Sequence, residues 1–158
     1  MNIDIELDAR FEEILERGDV YADTGIRYVV DGTYLDGSPS EYYVSDFVVL
    51  HLRRLCDAVA TVMDGDEVDL HYLDTTHHLY IDPIADETVS FRTSDEEAVE
   101  VDLKDLVRGV VFAAERLADD VVDVNPALED DAEVEQLRSS SNRLKVKYTD
   151  RYGEIPEA

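Results

Sequence analysis

Cysteine, tryptophan and long apolar runs are what the 158-residue chain most clearly lacks: it has one cysteine, Cys56, and no tryptophan. A single thiol cannot form a disulfide within the chain or supply the several thiolates of a structural zinc site. No apolar run approaches the roughly 20 residues that a membrane-spanning helix requires, and we expect no secretory leader. We therefore expect a cytoplasmic protein that does not enter a membrane.

Basic residues are also scarce, and lysine is the scarcest of them. Fourteen Lys and Arg stand against 39 Asp and Glu, a net charge of -25, and only Lys104, Lys145 and Lys147 are lysines. At low ionic strength so many like charges repel one another, whereas in molar salt the screening length shrinks to about 3 Å. The composition resembles that of haloarchaeal proteins, so we expect a halophilic protein.

The acid excess also excludes classes of partner. A protein that binds DNA or RNA must neutralise phosphates with Lys and Arg, and an anionic lipid surface would repel this chain. Carboxylates interrupt nearly every segment from Asp4 to Glu157, which is typical of a solvated surface and not of a nucleic-acid mimic. We expect neither a nucleic-acid partner nor a membrane partner.

Sequence motifs of catalysis and cofactor binding are missing. The seven glycines are too dispersed for the phosphate loops GxGxxG and GxxxxGK[ST], and there is no HExxH zinc motif or GxSxG nucleophile turn. Asp64, Asp66 and Asp69 lack the further ligands of an EF-hand calcium loop. We therefore expect no cofactor and no catalysis by a familiar motif.

The 44% apolar content is enough for one core, and its periodicity predicts an acidic α+β domain over residues 1–124. Apolar residues at three- and four-residue steps predict two long amphipathic helices, at 47–63 and 103–120. Alternating segments between them predict an antiparallel meander, with strands at 67–73, 79–84, 88–92 and 98–101. We expect the two helices to cover one face of the sheet, with extra short helices at the termini.

Capping residues and small residues refine the two long helices. Ser45 or Asp46 is expected to cap the first helix, and Asp102 the second. Cys56 lies on the apolar stripe of the first helix, which predicts a buried, unreactive thiol. Gly109, on the second helix, predicts a close approach of another backbone.

The region before the first long helix is predicted less uniquely. Residues 3–7 fit either a strand or the start of a helix. A short helix is expected at 8–17, and 26–35 is predicted to be extended, with Asp31-Gly32 forming a hairpin turn or bulge. Residues 36–39 are Asp-Gly-Ser-Pro and predict a loop.

Residues 125–158 are predicted to form a C-terminal helix and a basic extension. Asn125-Pro126 predicts the start of a short acidic helix that ends near Arg138. From Arg138 onward five basic residues meet three acidic ones, so this segment carries +2 and the preceding residues -27. Leu144, Val146 and Tyr148 alternate with lysines and fit an added edge strand. Three arrangements are open: docking on its own chain, contact in a homo-oligomer, or disorder.

Histidine and tyrosine on the predicted meander are the main candidates for a binding site. If the first hairpin turns at 74–77, Asp69, His71, His78, Tyr80 and Asp82 share the face that points away from the helices. We expect His71, His78 and Tyr80 to contact a protein or small-molecule partner, since these side chains combine rings with polar atoms. A plain solvated sheet face is the simpler interpretation.

The same face offers an alternative, a metal site. His71, His78, Asp69 and Asp82 combine imidazoles with carboxylates, which are ligands of catalytic zinc and groups suited to acid-base chemistry.

A second cluster lies on the first long helix, where His51 neighbours Arg53 and Arg54. These side chains are expected to form ion pairs with surrounding acids, and a binding patch is the alternative.

Two functions follow as expectations. The first is a non-catalytic interaction or ligand-binding module, whose layout of a strand meander packed by long helices is similar to that of partner-neutralising immunity proteins. The alternative is an enzyme of unfamiliar type, such as a metal-assisted hydrolase that uses the His and Asp residues of the sheet face.

Overall fold

A computed structural model describes residues 3–8, 10–18, 20–21, 23–34, 44–93 and 98–156. The predicted loop at 36–39 lies outside them. Over the described residues the protein is α+β, with two four-stranded antiparallel sheets and four α-helices. This confirms the predicted fold class.

The first sheet contains β1 (Ile3–Leu7), β2 (Asp23–Val30), β3 (Thr33–Tyr34) and β4 (Val44–Phe47). The N-terminal segment is therefore a strand, because β1 pairs along β2 from Ile3 opposite Val30 to Leu7 opposite Ile26. On the other edge, β2 pairs with β3 and with β4. Asp31 and Gly32 both have positive φ, which produces the predicted hairpin between β2 and β3.

The second sheet contains β5 (Val68–His71), β6 (His78–Ala85), β7 (Thr88–Thr93) and β8 (Val99–Asp102), hydrogen-bonded in that order. This is the predicted meander. Leu79, Ile81 and Phe91 are buried on its inner face. Because side chains alternate along a strand, His78 and Tyr80 belong to the opposite, outer face.

The helices are α1 (Arg10–Glu16), α2 (Val48–Met63), α3 (Leu103–Val124) and α4 (Ala132–Tyr152), with a 3₁₀ turn at Pro126–Leu128. Helix α2 packs on β5 and β6, α3 packs on β1 and β8, and α4 packs on both helices. Tyr28 of β2 meets Phe91 of β7 edge to face, with ring centroids 5.3 Å apart. The two sheets and the helices thus share one apolar core.

Gly109 of α3 lies against β1, as its small size predicted. A Cβ at this position would stand 2.9 Å from the carbonyl oxygen of Ile3. Only glycine lets the helix and this strand backbone approach so closely.

The two long helices differ in how they begin. Asp102 caps α3 as predicted, since its carboxylate accepts a hydrogen bond from the backbone N–H of Asp105 at 3.2 Å. The predicted cap of α2 is wrong. Phe47 occupies the N-cap position without a side-chain hydrogen bond, because Asp46 belongs to β4 and its side chain is buried in the interior.

Helix α4 is longer than predicted and does not end near Arg138. It continues through the serine run, where Ser140 and Ser141 are buried. The predicted edge strand is also wrong: Leu144 and Tyr148 are buried whereas Val146 is 58% exposed. Positions four apart share one face of a helix, so burial of Leu144 and Tyr148 on α2 and α3 accounts for the helix.

Basic residues of α4 form ion pairs with the acidic body. Their partners lie on α2 and just after its end, on α3 and in the turn between β6 and β7. The pairs are Arg138 with Asp119, Arg143 with Asp57, Lys145 with Glu115, Lys147 with Asp64, and Arg151 with Glu87. The basic segment is therefore held on its own chain both by charge and by buried apolar side chains.

A membrane-crossing helix is not found in the part of the chain that the structure describes, where none is both long and apolar enough.

Candidate functional site

The outer face of the second sheet brings together the predicted binding residues. His71 lies directly opposite His78, and their rings stack with centroids 4.5 Å apart. The rings of His78 and Tyr80 are nearly parallel, at 4°, with centroids 5.5 Å apart. On the neighbouring strand, the Arg92 guanidinium lies 4.2 Å from the centre of the Tyr80 ring. We call these four residues, His71, His78, Tyr80 and Arg92, the stacked cluster.

A carboxylate fixes the central ring of the stacked cluster. Asp69 Oδ1 lies 2.6 Å from His78 Nδ1, so the ring is held by a hydrogen bond as well as by its neighbours. His71 is exposed, and 30% of the His78 side chain is exposed. The stacked cluster is therefore an ordered surface that solvent reaches.

The alternative of a metal site on this face gains no support. His71, His78 and Asp69 lie at the hairpin end of the face, whereas Asp82 lies further along β6, opposite Ser90. Among the described residues no group of three or more His, Cys, Asp or Glu is arranged to hold a metal ion.

His51 is the functional candidate that sequence reasoning misplaced. It pairs with an acid as expected, and so does Arg53, with Glu133 at 3.4 Å, but His51 does so while fully buried in the first turn of α2. Its Nδ1 lies 2.9 Å from Asp46 Oδ2, and its Nε2 is hydrogen-bonded to the hydroxyl of Tyr28 on β2. Carboxylate, imidazole and phenol therefore form one continuous buried chain.

Asp46 also connects this buried chain to the turn between β5 and β6. Its second oxygen, Oδ1, accepts hydrogen bonds from the backbone N–H groups of Leu73 at 3.0 Å and Asp74 at 3.2 Å. Nearby, Arg54 Nη1 donates to the carbonyl oxygen of His71 at 2.8 Å. The start of α2 and the strand before it thus hold the hairpin that carries His71 and His78.

The charges of the buried pair follow from these contacts. Burial alone would raise the pKa of Asp46, but His51 and the backbone N–H groups of Phe47 and Leu73 hold it below its usual value. Burial lowers the pKa of His51, although Asp46 opposes this effect. At neutral pH the pair is therefore an aspartate and a neutral histidine, with the proton on Nδ1 donated to Asp46 and Nε2 accepting from Tyr28.

Burial limits the chemistry that Asp46, His51 and Tyr28 can perform. Carboxylate, imidazole and hydroxyl in this order are used elsewhere for general-base catalysis. Here Asp46 and His51 are fully buried and Tyr28 is 1% exposed, so no substrate reaches them in this conformation. The arrangement instead satisfies buried polar groups and ties three elements together.

A second pair of carboxyl groups lies by the same turn. Partial loss of hydration and a hydrogen bond with Asp74 raise the pKa of Asp23 to about 6, and the charges of Asp74 and Asp46 add to the effect. Asp23 is exposed, so solvent weakens this repulsion.

A signal for the burial of His51 was present in the sequence. His51 lies three residues after Val48 and four before Leu55, and both are buried, which places it on the apolar stripe of α2. The other contacts of Asp46 carry no such signal, because Leu73 and Asp74 lie 27 and 28 residues after it along the chain.

Cys56 is buried on α2 as predicted. Burial raises the pKa of its thiol to about 12, so the reactive thiolate is essentially absent at neutral pH. The residue packs as a small apolar side chain.

Replacing His51 should change how stability depends on pH. Because the pKa of buried His51 lies below its ordinary value of 6.5, the unfolded chain takes up a proton below that pH while the folded chain does not. The free energy of unfolding therefore decreases as the pH is lowered below 6.5, and this group contributes up to about 1.4 kcal/mol per pH unit. The difference in free energy of unfolding between the wild type and His51→Gln should therefore be smaller at about pH 5 than at about pH 7.

Urea unfolding of both proteins in molar KCl measures this difference. Asp23, whose pKa is raised, contributes in the opposite direction below about pH 6, but both proteins retain it. Asp46 titrates below its usual value of 3.8, outside the pH window. A stability difference that stays constant with pH would contradict the buried, neutral His51.

Comparison of the chain with protein families, curated proteins and solved structures finds no match. The functional argument therefore depends on the stacked cluster and on the buried residues beneath its hairpin.

Proposed function

We propose that this protein is a halophilic, cytoplasmic, non-catalytic interaction module that binds a cationic protein partner through the outer face of the second sheet. The observation that carries this proposal is the stacked cluster. It orders four side chains with rings or a planar cation on a solvent-reached surface, while the opposite face of the sheet is occupied by the core.

The side chains of the stacked cluster are already fixed in the free protein, so they lose less conformational entropy when a partner binds. An immobilised side chain costs about 0.5–1.5 kcal/mol on binding, and here Asp69 and the neighbouring rings hold His78 in place beforehand. Tyrosine and arginine are also the residue types that most often dominate binding energy at interfaces.

The charge around the stacked cluster favours a cationic partner. Asp69, Asp82 and Glu100 lie on the same face, and Arg92 is the strand residue of opposite charge beside Tyr80. In molar salt such charges act only at contact distance, so they would select the partner's residues while stacking supplies attraction. Arg92 over the Tyr80 ring is an example of the cation–π contact by which the rings of this face would bind a partner's arginine.

The same features favour binding over catalysis. The one carboxylate–imidazole–hydroxyl chain found among the described residues is closed to solvent. A partner-neutralising role would need a binding face and no catalytic residues.

Loss of the central rings should abolish partner capture. Tagged wild type and His78→Ala/Tyr80→Ala protein would be used in parallel to capture partners from a high-salt lysate, and the partner would then be titrated in purified form. Because truncation of central interface residues typically costs 2 kcal/mol or more, we expect binding at least about 30-fold weaker. Tyr21→Ala is the matched control, since Tyr21 is an exposed tyrosine outside the sheet.

The outcomes separate the alternatives. A basic protein that binds wild type and Tyr21→Ala but not the double variant supports the proposal. Equal binding by all three proteins, capture of a second copy of this chain alone, or binding only of a small molecule contradicts it.

A further inference from the structure

We propose that Asp46 is a positioning residue for the binding face: by holding the β5–β6 turn from inside, it keeps His71 opposite His78. The proposed function of the face is needed only for the consequence for binding. The hold on the turn stands on the contacts of Asp46 alone, and the two can be tested separately.

The first step of the argument concerns the turn at residues 72–77, which joins the strands that carry His71 and His78. Its own backbone supplies a hydrogen bond from Tyr72 N–H to His77 O at 3.0 Å. Beyond that, the N–H groups of Leu73 and Asp74 both donate to Asp46 Oδ1. Two hydrogen bonds to one charged oxygen are stronger than bonds to a neutral acceptor.

The second step concerns what holds Asp46 itself. Its other oxygen is bonded to His51, and its backbone is paired with Thr24 of β2. The Asp46 carboxylate therefore cannot rotate without breaking its hydrogen bonds to His51 and to the turn. It transmits the rigidity of α2 and the first sheet to the turn.

A series of aromatic contacts also connects the interior to the turn. His51 meets Tyr72 edge to face with centroids 4.6 Å apart, and Tyr72 meets His77 in the same way at 5.0 Å. Arg54, one helical turn after His51, donates to the carbonyl oxygen of His71. Helix α2 and the strand before it thus hold the hairpin at His71 and again at Leu73 and Asp74.

The third step concerns the consequence for the stacked cluster. Strand β5 has four residues, so the hairpin end at His71 is only three residues from the other end of the strand. If the turn loosens, His71 no longer has a fixed place opposite His78, and a partner must order both rings on binding. Affinity should fall although no residue of the face has changed.

Asp46→Asn tests the hold on the turn. Asparagine keeps the size of the side chain but loses its charge, and its amide group cannot accept at both ends. Either its NH2 group turns toward the two turn N–H groups and their hydrogen bonds are lost, or the His51 ring takes the other tautomer and the turn N–H groups keep an acceptor that is no longer charged. We expect hydrogen exchange of the Leu73 and Asp74 amides, measured by NMR in molar KCl, to accelerate at least about tenfold.

Two controls separate positioning from general destabilisation. Amides in the middle of α3 report global opening and should change less than those of the turn. Asp64→Asn removes an exposed carboxylate that pairs with Lys147 at the end of α2, and it should leave the turn unchanged. Equal acceleration at the turn and in α3, or no acceleration at the turn, overturns the proposal.

The wild type supplies a measurement that does not depend on a variant folding. Nitrogen chemical shifts of His51 should show the proton on Nδ1, and the Leu73 and Asp74 amides should be protected from exchange. Unprotected turn amides would overturn the proposal.

Partner binding then tests the consequence separately. If Asp46→Asn loosens the turn and weakens the binding of a captured partner with the face intact, positioning is confirmed. If the turn loosens and a partner known to use the face binds as before, the positioning role is wrong. If wild-type protein captures no partner, the proposed function fails while the exchange result still decides the hold on the turn.

Discussion

Lowering KCl from molar concentration to about 0.1 M should lower the melting temperature steeply and unfold the protein. The screening length grows from about 3 Å to about 10 Å over this range. Each of the 39 carboxylates is then repelled by many neighbours of the same sign instead of one or two. The folded state concentrates these charges and is destabilised more than the extended chain.

Helix α4 opposes this repulsion, since its basic residues contact acids of the body. Arg138, Arg143 and Lys147 pair with Asp119, Asp57 and Asp64, and the attraction strengthens as salt is removed. Replacing these three basic residues by glutamine keeps good helix formers at each position. The triple variant should need more KCl to fold, yet melt like the wild type in molar KCl.

Melting curves across a KCl series measure both effects. Arg10→Gln is the control, because Arg10 pairs with Asp8 only two residues away and should shift the curve little. A melting temperature independent of salt would contradict the halophilic interpretation. Identical curves for the triple variant and the wild type would contradict the electrostatic hold on α4.

Leu144→Ala should destabilise the protein by about 2–5 kcal/mol, the usual cost of removing a fully buried leucine side chain. Leu144 and Tyr148 lie one helical turn apart and are buried in the core that α4 shares with α2 and α3. Their loss leaves a cavity that a helix fixed by several contacts cannot fill. The effect should persist in molar KCl, because it depends on packing and not on charge.

Val146→Ala is the matched control and should have the opposite sign. Val146 is exposed on the outer side of α4, and alanine is the better helix former by up to about 0.7 kcal/mol. In a strand, Leu144, Val146 and Tyr148 would share one face, and both substitutions would destabilise. Urea unfolding in molar KCl distinguishes the cases: two losses of similar size would contradict the helix.

The segment around residues 144–148 shows that a local sequence pattern can fit both a strand and a helix. Leu144, Val146 and Tyr148 fit a period of two, while Leu144 and Tyr148 alone fit a helical step of four. The pattern is the same in both interpretations. Only the apolar surface of α2 and α3, which the rest of the chain supplies, selects the helix.

The N-terminal segment was ambiguous for the same reason. Ile3 and Ile5 are buried by pairing with β2 and by α3, and neither partner can be read from residues 3–7. By contrast, α3 and the meander depend on periodicity within each segment and on turn residues between them, so their existence was predicted from local sequence.

The exposed site could be predicted further than the buried one. Once the first hairpin is placed, the alternation of side chains assigns Asp69, His71, His78 and Tyr80 to one face, and the structure places them there. Ring stacking and the contact with Arg92 need distances that a pattern lacks. Asp46 was misassigned because an aspartate before a helix is normally a cap, whereas its actual partners are His51 of α2 and the backbone N–H groups of Leu73 and Asp74 in the β5–β6 turn.

Hydrogen exchange of the captured complex tests the central claim, that this protein binds its partner through the outer face of the second sheet. Amides of β5, β6 and β7 around His71, Tyr80 and Arg92 should gain protection when the partner binds in molar KCl, and those on the outer side of α4 around Val146 should not. Protection confined to α4, with the second sheet unchanged, would contradict the account.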